Sequence, residues 1–337
     1  MSYKVSVQPS GHEFSVDEGE TVLDAALRQN IGLPYGCRSG NCGSCAGELL
    51  QGEAIYPEAE PGFECADENC CVFCQAVPRS DLTIKVREVE NAAEIQTRTL
   101  PCRVVRIDHL AHDVIRLFLK LPDNQRMQFL AGQYLEFILA DGRHRAFSIA
   151  NAPHDDEFIE LHIRHVDGGA FTDFVFSQMK EKAIQRIQAP LGSFTLNEAS
   201  EKPMILVAGG TGFAPLKAII EHTFHRGLNR PIHLFWGVRS KRDLYLPELP
   251  EQWVENHDNV KFTPVLSEPD ADWSGARGWV HEQVLTEYPD LRDQEIYMAG
   301  PPPMIIAARE AFRNAGVAEE AMYYDSFEYA APSEKKD

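Results

Sequence analysis

The cysteines restrict the possible folds of this chain more than any other feature. Seven of the eight lie between residues 37 and 74, and the first three have the spacing Cys37-x4-Cys42-x2-Cys45. The N-terminus has no apolar stretch of the kind that directs secretion. A disulfide framework is therefore not expected in a chain of 337 residues, and a metal or cluster site is the better interpretation.

Four thiolates at this spacing predict a 2Fe–2S cluster. The fourth comes from the run Cys70-Cys71-Val-Phe-Cys74, in which each cysteine is close enough to be a candidate. Four-cysteine zinc is the alternative, but zinc sites favour arms with two residues between the cysteines. Bridging sulfides need backbone N–H donors, which tight turns supply at the glycines 36, 40 and 43.

Residues 1–90 resemble plant-type ferredoxins. The resemblance implies that Cys74 completes the ligand set with Cys37, Cys42 and Cys45, because Cys74-Gln-Ala is followed by a strand, as in that family. Four cysteines are then surplus, and we interpret them as small buried apolar residues or as exposed residues without a role: Cys65, Cys70, Cys71 and Cys102.

Hydrophobic periodicity predicts a multi-domain chain of α+β and α/β class. In residues 1–90 it predicts strands at 3–7, 12–16 and 82–86 and a helix over 20–30 capped by Thr21. In residues 101–199 it predicts a small β-barrel, with strands at 103–107, 114–121, 134–139 and 158–165 and a helix over 171–179. Residues 91–100 are predicted to form a linker between these two domains.

The third predicted domain, residues 200–330, has a different periodicity. Apolar strands at 204–208, 232–236, 260–266 and 295–299 alternate with helices at 215–225, 279–286 and 303–315. This alternation predicts an open parallel sheet. Residues 331–337 are predicted to form a flexible tail.

Charge and apolar content exclude some classes of partner. The 32 Lys and Arg against 51 Asp and Glu give a net charge of −19, which disfavours nucleic acid. No apolar run approaches the length of a membrane helix, so a cytoplasmic protein is expected. Up to Ala92, fifteen acidic residues stand against six basic ones, and this block predicts a docking face for a basic patch on another protein.

A segment of the second block, Arg145-Ala-Phe147-Ser148-Ile149, resembles the Arg-x-Tyr-Ser motif in the FAD barrel of the ferredoxin–NADP reductase superfamily. The resemblance implies that Arg145 pairs with the FAD pyrophosphate. It also implies that Ser148, the candidate catalytic residue, hydrogen-bonds near the flavin N5. Phe147 replaces the usual tyrosine, so ring stacking is retained and a hydroxyl is lost.

Two later segments, His162-Ile163-Arg164 and Gly168 to Thr172, extend this resemblance. Gly169 to Thr172 would offer backbone N–H groups at a helix start to the same pyrophosphate. The full predicted FAD-binding set is Arg145, Phe147, Ser148, Ile149, His162, Ile163, Arg164, Gly169 and Thr172.

The third block carries a Gly-rich turn, Gly209-Gly-Thr-Gly212, between an apolar strand and a helix. Glycines let a dinucleotide approach the backbone, and a helix N-terminus favours its negative charge. The turn is the superfamily's own variant, and Met298-Ala299-Gly-Pro-Pro-Pro-Met304 resembles its Cys-Gly-Pro-Pro-x-Met turn. The predicted NAD(P)H-binding set is Gly209, Gly210, Thr211, Gly212, Pro215, Gly237, Arg239, Ser240, Gly300, Pro301, Pro302 and Met304.

Two details of this block bear on the reaction. Ala299 replaces the family's cysteine, which predicts slower but not abolished hydride transfer. Arg239, Lys241 and Arg242 could accept the 2′-phosphate of NADPH, or could form a solvated loop. Relatives with this domain order mostly use NADH, so NADH is expected and NADPH remains an alternative.

The resemblance spans nearly the whole chain and implies a β-grasp ferredoxin domain, an FAD-binding Greek-key barrel and a nucleotide-binding domain. Hydride would pass from NAD(P)H to FAD, then single electrons to the cluster and to a partner protein. Four segments are most similar to those of the CDP-6-deoxy-glucoseen reductases, whose partner is a dehydrase: Leu23-Asp-Ala-Ala-Leu27, Ala131-Gly-Gln-Tyr134, Ser148-Ile-Ala-Asn-Ala-Pro153 and Ala208-Gly-Gly-Thr-Gly-Phe-Ala-Pro215. The alternatives are the reductase of a ring-hydroxylating dioxygenase or multicomponent monooxygenase and, from another class, a redox-sensing iron–sulfur binding protein.

Overall fold

The computed structural model describes residues 2–65, 67–89 and 95–327. The chain divides into two compact units. The first comprises Met1–Gln96 with Gly192–Phe194, and the second comprises Thr97–Leu191 with Thr195–Asp337. Of the predicted linker, residues 91–94 lie outside the described residues, and so does the predicted tail.

The first unit is built on a mixed five-stranded sheet with one helix. Its elements are β1 (Tyr3–Gln8), β2 (Glu13–Val16), α1 (Val22–Arg28), β3 (Ala46–Gln51), β4 (Ala54–Ile55), β5 (Cys70–Val72), β6 (Val77–Pro78) and β7 (Leu82–Lys85). The strand order is β2-β1-β7-β3-β5, with β1 antiparallel to β2 and parallel to β7. The predicted N-cap is confirmed, since Thr21 Oγ1 accepts from the Asp24 amide at 3.1 Å.

The second unit begins with a six-stranded antiparallel sheet. Its elements are β8 (Arg98–His109), β9 (Val114–Lys120), β10 (Tyr134–Ile138), β11 (His144–Ser148), β12 (Ile159–Arg164), α2 (Ala170–Ser177) and β13 (Ile184–Leu191). The strand order is β11-β10-β13-β8-β9-β12. The two outer strands meet where Ile149, directly after β11, bridges to Leu161 in β12, so the sheet closes around its apolar core.

The same unit continues into an open parallel sheet. Its elements are β14 (Met204–Gly209), α3 (Phe213–His225), β15 (Ile232–Val238), α4 (Glu248–Asn256), β16 (Val260–Leu266), β17 (Ala276–Arg277), α5 (Val280–Glu287), β18 (Glu295–Gly300), α6 (Pro302–Asn314) and β19 (Met322–Ser326). The order is β17-β16-β15-β14-β18-β19, and each neighbouring pair is parallel. The predicted fold class is confirmed.

This topology places the predicted nucleotide motifs at one edge of the sheet. The central strands β14, β15 and β18 end at Gly209, Val238 and Gly300, and the chemistry-bearing loops follow these ends. Ligands of open parallel sheets bind outside the carboxyl ends of the strands. No helix in the described part of the chain has both the length and the apolar character that crossing a membrane requires.

Candidate cofactor sites

The structure pairs the four predicted cluster cysteines two by two. The Cys37 and Cys42 thiols hydrogen-bond to each other, and so do those of Cys45 and Cys74. The Cys42 thiol lowers the pKa of Cys37, and the Cys45 thiol lowers the pKa of Cys74. In the same pairs the hydrogen bond to the partner thiol, together with burial, raises the pKa of Cys42 and of Cys45. One sulfur of each pair is therefore favoured as the thiolate, which is the form that binds iron.

Backbone N–H groups point at this sulfur set. The Ser39 amide donates to Cys37 Sγ at 3.4 Å and the Ser44 amide donates to Cys42 Sγ at 3.4 Å. Gly40 and Gly43 adopt φ values of +83° and +74°, which other residues rarely reach. Two thiol pairs with inward amides are the donor set that a 2Fe–2S cluster needs.

A single zinc ion fits these cysteines less well. Among the described residues, the one group of three metal-ligating side chains within a single ion's reach lies elsewhere, at His112, Asp113 and Asp243. The cysteine sulfurs are spread over two pairs, as two irons require.

An acidic segment lies against the cluster loop. The Phe63 amide donates to the Gly40 carbonyl at 3.0 Å, and a Cβ on Gly43 would come within 2.3 Å of the Phe63 ring. The segment's carboxylates are exposed: Glu58, Glu60, Glu64, Asp67 and Glu68. From 51 to 78 the sequence has no Lys or Arg. The segment that lies against the cluster loop is thus negative, and the loop's own cation, Arg38, is paired with Asp24.

The interpretation of Cys65 and Cys70 as residues without a role is wrong. Their sulfurs form a disulfide, with the Cα atoms 5.7 Å apart, a separation within the usual range. Cys71 and Cys102 are buried free thiols, which agrees with their interpretation as small buried residues.

The predicted flavin segment occupies β11 and the residues after it. Arg145 is half-buried, and Phe147 packs edge-on against Phe137 with ring centroids 5.8 Å apart. Ser148 Oγ donates to Asp325 Oδ2 at 3.0 Å. The structure therefore gives Ser148 a carboxylate partner from β19, 177 residues away in sequence.

Asp325 is a candidate functional residue that sequence reasoning missed. Its backbone is in register with Ala299, the position where the family has a cysteine. Asp325 is buried, and it hydrogen-bonds to Ser148. A single aspartate in a short strand has no sequence signal, and only the pairing of β18 with β19 brings it to this place.

The remaining predicted FAD residues surround β12 and α2. His162 is buried, and its two ring nitrogens bond Glu160 and Tyr245, each at 2.9 Å. Ile163 is buried in the barrel core. Arg164 Nε donates to Asp113 Oδ2 at 2.7 Å, and its guanidinium also lies against the Gly-rich turn.

The α2 N-terminus has the geometry expected of its sequence. Gly169 is the N-cap residue, and the helix begins at Ala170. The Thr172 hydroxyl contacts the Val166 and Gly169 carbonyls, so it stabilises the turn itself. The first N–H groups of a helix have no partner within the helix, so those at the start of α2 are still the predicted donors to the pyrophosphate.

The Gly-rich turn and the Pro-rich turn pack directly against each other. A Cβ on Gly209 would lie 2.6 Å from Met304 Sδ and 2.8 Å from Pro301 Cδ. A Cβ on Gly212 would lie 1.9 Å from the Ala299 carbonyl oxygen. The glycines are therefore needed for the packing of the two predicted nicotinamide segments, besides any room they leave for a ligand.

The other residues of the predicted NAD(P)H-binding set lie in or near the same turns. Thr211 is half-buried, Pro215 is buried in the first turn of α3, and Pro302 begins α6 directly after Gly300 and Pro301. Gly237 lies at the end of β15, where a Cβ would approach Val280.

The loop after β15 has a fixed conformation. Asp243 is buried, and its Oδ2 accepts from the Ser240 amide at 2.8 Å and from the Ser240 hydroxyl at 2.9 Å. Arg239, Lys241 and Arg242 are exposed.

Comparisons with known proteins agree with this three-part architecture. Residues 5–79 match the 2Fe-2S iron-sulfur cluster binding domain, 101–196 the oxidoreductase FAD-binding domain and 206–310 the oxidoreductase NAD-binding domain. A CDP-6-deoxy-L-threo-D-glycero-4-hexulose-3-dehydrase reductase from Yersinia pestis is 38% identical over 330 residues, which are 97% of this chain and 99% of the relative. The chain belongs to the ferredoxin–NADP reductase family and carries an N-terminal 2Fe–2S ferredoxin domain.

Other members of this family serve different systems. Reductase component 2 of a terephthalate 1,2-dioxygenase from Comamonas sp is 33% identical over 97% of this chain and 98% of its own. The crystal structure of a cytochrome P450 reductase from Amycolatopsis has a TM-score of 0.79 and 30% identity, covering 98% of this chain and all of that one. This ferredoxin–NADP reductase family member is thus an NAD(P)H-dependent electron-transfer oxidoreductase with domains for FAD and a 2Fe–2S cluster.

Proposed function

We propose that this protein takes hydride from NADH onto FAD and passes single electrons through its 2Fe–2S cluster to a separate acceptor protein. Flavin supplies the step from two-electron to one-electron transfer. The residues proposed to hold it are those of β11 and the α2 N-terminus, with Ser148 and Asp325 beside the reacting atoms. Cys37, Cys42, Cys45 and Cys74 are proposed to hold the cluster.

The acidic segment against the cluster loop is the observation that carries the acceptor proposal. Five exposed carboxylates, from Glu58 to Glu68, lie on the stretch that contacts Gly40 and Gly43. Complementary charge steers association and orients the partners. The acceptor that fits is a protein with a basic patch around its own redox centre.

The proposed acceptor is a dehydrase that acts on a CDP-linked hexulose. The similarity to the Yersinia pestis reductase supports this choice, because it covers 97% of the chain at 38% identity. A ring-hydroxylating dioxygenase is the second candidate, supported by the 33% identity to the terephthalate enzyme's reductase. Coupled assays with NADH and each purified acceptor decide between them, since the proposal requires turnover with the dehydrase and only background rates with the oxygenase.

Charge-led docking predicts that reduction of the acceptor slows as salt rises, because the Debye length falls from about 30 Å at 0.01 M to about 3 Å at 1 M. The double variant Glu60→Gln, Glu64→Gln is expected to flatten this dependence. The matched control is Glu251→Gln, Glu255→Gln, two exposed carboxylates on α4. Stopped-flow rates that do not change with ionic strength, or equal slopes in the two variants, would argue against docking through the acidic segment.

The protein is expected to prefer NADH to NADPH. Asp243 Oδ2 already accepts from the Ser240 amide and hydroxyl, so these donors are not available to a 2′-phosphate, and the buried carboxylate would repel it. Asp243→Asn is expected to narrow the difference in kcat/KM between the two nucleotides, whereas Asp258→Asn, an exposed control, leaves it unchanged. Steady-state kinetics with both nucleotides measure the ratio, and a higher kcat/KM for NADPH in the wild type would contradict this account.

A further inference from the structure

Helix α3 contains a buried lysine that the proposed electron path does not use. Lys217 lies one turn after Phe213, the first residue of the helix, and its side chain is 8% exposed. The helix begins directly after the Gly-rich turn. Lys217 is therefore rigidly connected to the segment proposed to receive the dinucleotide.

The ammonium group of Lys217 reaches into the barrel. Nζ donates to the Ala150 carbonyl oxygen at 3.2 Å, to Glu160 Oε2 at 3.2 Å and to Glu221 Oε2 at 2.9 Å. Ala150 lies two residues after Ser148, and its amide donates to the Glu160 carbonyl at 2.8 Å. One side chain thus joins the dinucleotide helix to the segment proposed to hold the flavin.

The network continues on the other side of Glu160. His162 bonds Glu160 and Tyr245, and the Tyr245 ring packs edge-on against Trp236 at a centroid distance of 5.0 Å. The Trp236 indole N–H donates to the Gly210 carbonyl at 2.9 Å. The chain of contacts therefore returns to the Gly-rich turn from which α3 starts.

The lysine is held in its charged form. Burial alone would lower the pKa of Lys217, but the carboxylates of Glu160 and Glu221 outweigh burial and raise that pKa. A buried ammonium is costly unless it is paired. Glu221 belongs to α3 itself, whereas Ala150 and Glu160 lie outside it, so the contacts of Lys217 to Ala150 and Glu160 constrain where the helix can lie.

We propose that Lys217 is a positioning residue, whose ammonium fixes the separation between the flavin segment at Ser148–Ala150 and the dinucleotide turn at Gly209–Gly212. The proposal rests on the proposed placement of FAD and NADH in this protein. Hydride transfer is sensitive to such a separation, since a misplacement of about 1 Å can cost on the order of 100-fold in rate.

The test compares two buried cations of the same domain in the full-length holoenzyme. Lys217→Met removes the contacts from the ammonium group to Ala150 and Glu160. Arg230→Met breaks another buried ion pair, Arg230–Glu295, which lies at the amino ends of the strands and away from the predicted site. Single-turnover flavin bleaching by NADH, the Kd of NADH, the melting temperature and amide hydrogen exchange are measured for both.

Lys217→Met is expected to slow flavin bleaching by about 10- to 100-fold, with a smaller change in the Kd of NADH and faster exchange at 148–150. Arg230→Met is expected to lower the melting temperature and leave the bleaching rate within about twofold. Equal slowing in both variants, or a wild-type rate in Lys217→Met, would overturn the proposal.

Lys217→Arg covers the case in which the methionine variant does not fold. It retains the charge, but its longer, planar head group cannot hold the same separation. It is expected to melt near the wild-type temperature and to bleach more slowly, and a wild-type bleaching rate in this variant overturns the proposal. Flavin bleaching involves no acceptor protein, so failure of the acceptor assignment leaves these outcomes unaffected.

Discussion

Replacing Cys74 with alanine is expected to abolish the 2Fe–2S cluster and with it the reduction of one-electron protein acceptors. The Cys74 thiol pairs with that of Cys45, and loss of one ligand leaves an iron with an incomplete thiolate set. Flavin reduction by NADH is expected to continue, because the FAD and NAD(P)H domains form a separate compact unit. Iron and sulfide content, with EPR of the reduced protein, measure the first effect, and flavin bleaching measures the second.

Cys71→Ala is the matched control, because Cys71 is also a buried free thiol of the same short stretch. Its thiol accepts from the Tyr56 hydroxyl at 3.8 Å and has no contact with Cys45 among those described. A cluster that survives in Cys74→Ala and disappears in Cys71→Ala would show that the fourth ligand has been assigned to the wrong cysteine.

Replacing Gly212 with alanine is expected to disrupt both predicted nicotinamide segments. The new Cβ would lie 1.9 Å from the Ala299 carbonyl oxygen and 2.4 Å from the carbonyl carbon. These are backbone atoms of a central strand, so neither can move aside as a side chain could. Overpacking of this kind typically costs about 1–3 kcal/mol of stability. We expect a lower melting temperature and a strongly raised KM for NADH.

Gly227→Ala separates the steric effect from the general cost of losing a glycine. Gly227 follows α3, has a φ of +65°, and a Cβ there would meet nothing within 4 Å. It is expected to lose about 1 kcal/mol of stability through backbone strain and to keep the wild-type KM for NADH. Comparable KM values in the two variants would contradict the packing account of the Gly-rich turn.

Strong local patterns made much of the fold predictable. The sequence correctly predicted β14, the Gly-rich turn and α3. Strand β14 was recognisable because a buried parallel strand is almost purely apolar. The helix α4 was missed, since Glu248–Asn256 is rich in polar residues and contains Pro250. Strand β11 was also missed, although it carries the flavin motif, because none of its side chains is buried and Phe147 is its only large apolar residue.

The candidate sites were predictable only where their residues are neighbours in sequence. The cysteine spacing and the Gly-rich turn are local signals. Two other features depend on contacts between segments that are distant in sequence: the hydrogen bond from Ser148 to Asp325 and the hydrogen bond from Lys217 to Ala150. The acidic segment likewise lies over the cluster loop because Phe63 packs on Gly43. No periodic pattern in the sequence predicts that contact.

An anaerobic titration of the purified holoenzyme with NADH, followed by absorbance and EPR, tests the central claim most directly. The account predicts that the flavin bleaches and that the EPR signal of a reduced 2Fe–2S cluster appears as equivalents are added. A protein whose flavin bleaches while no cluster signal forms would contradict the claim that hydride from NADH is passed on as single electrons through these four cysteines.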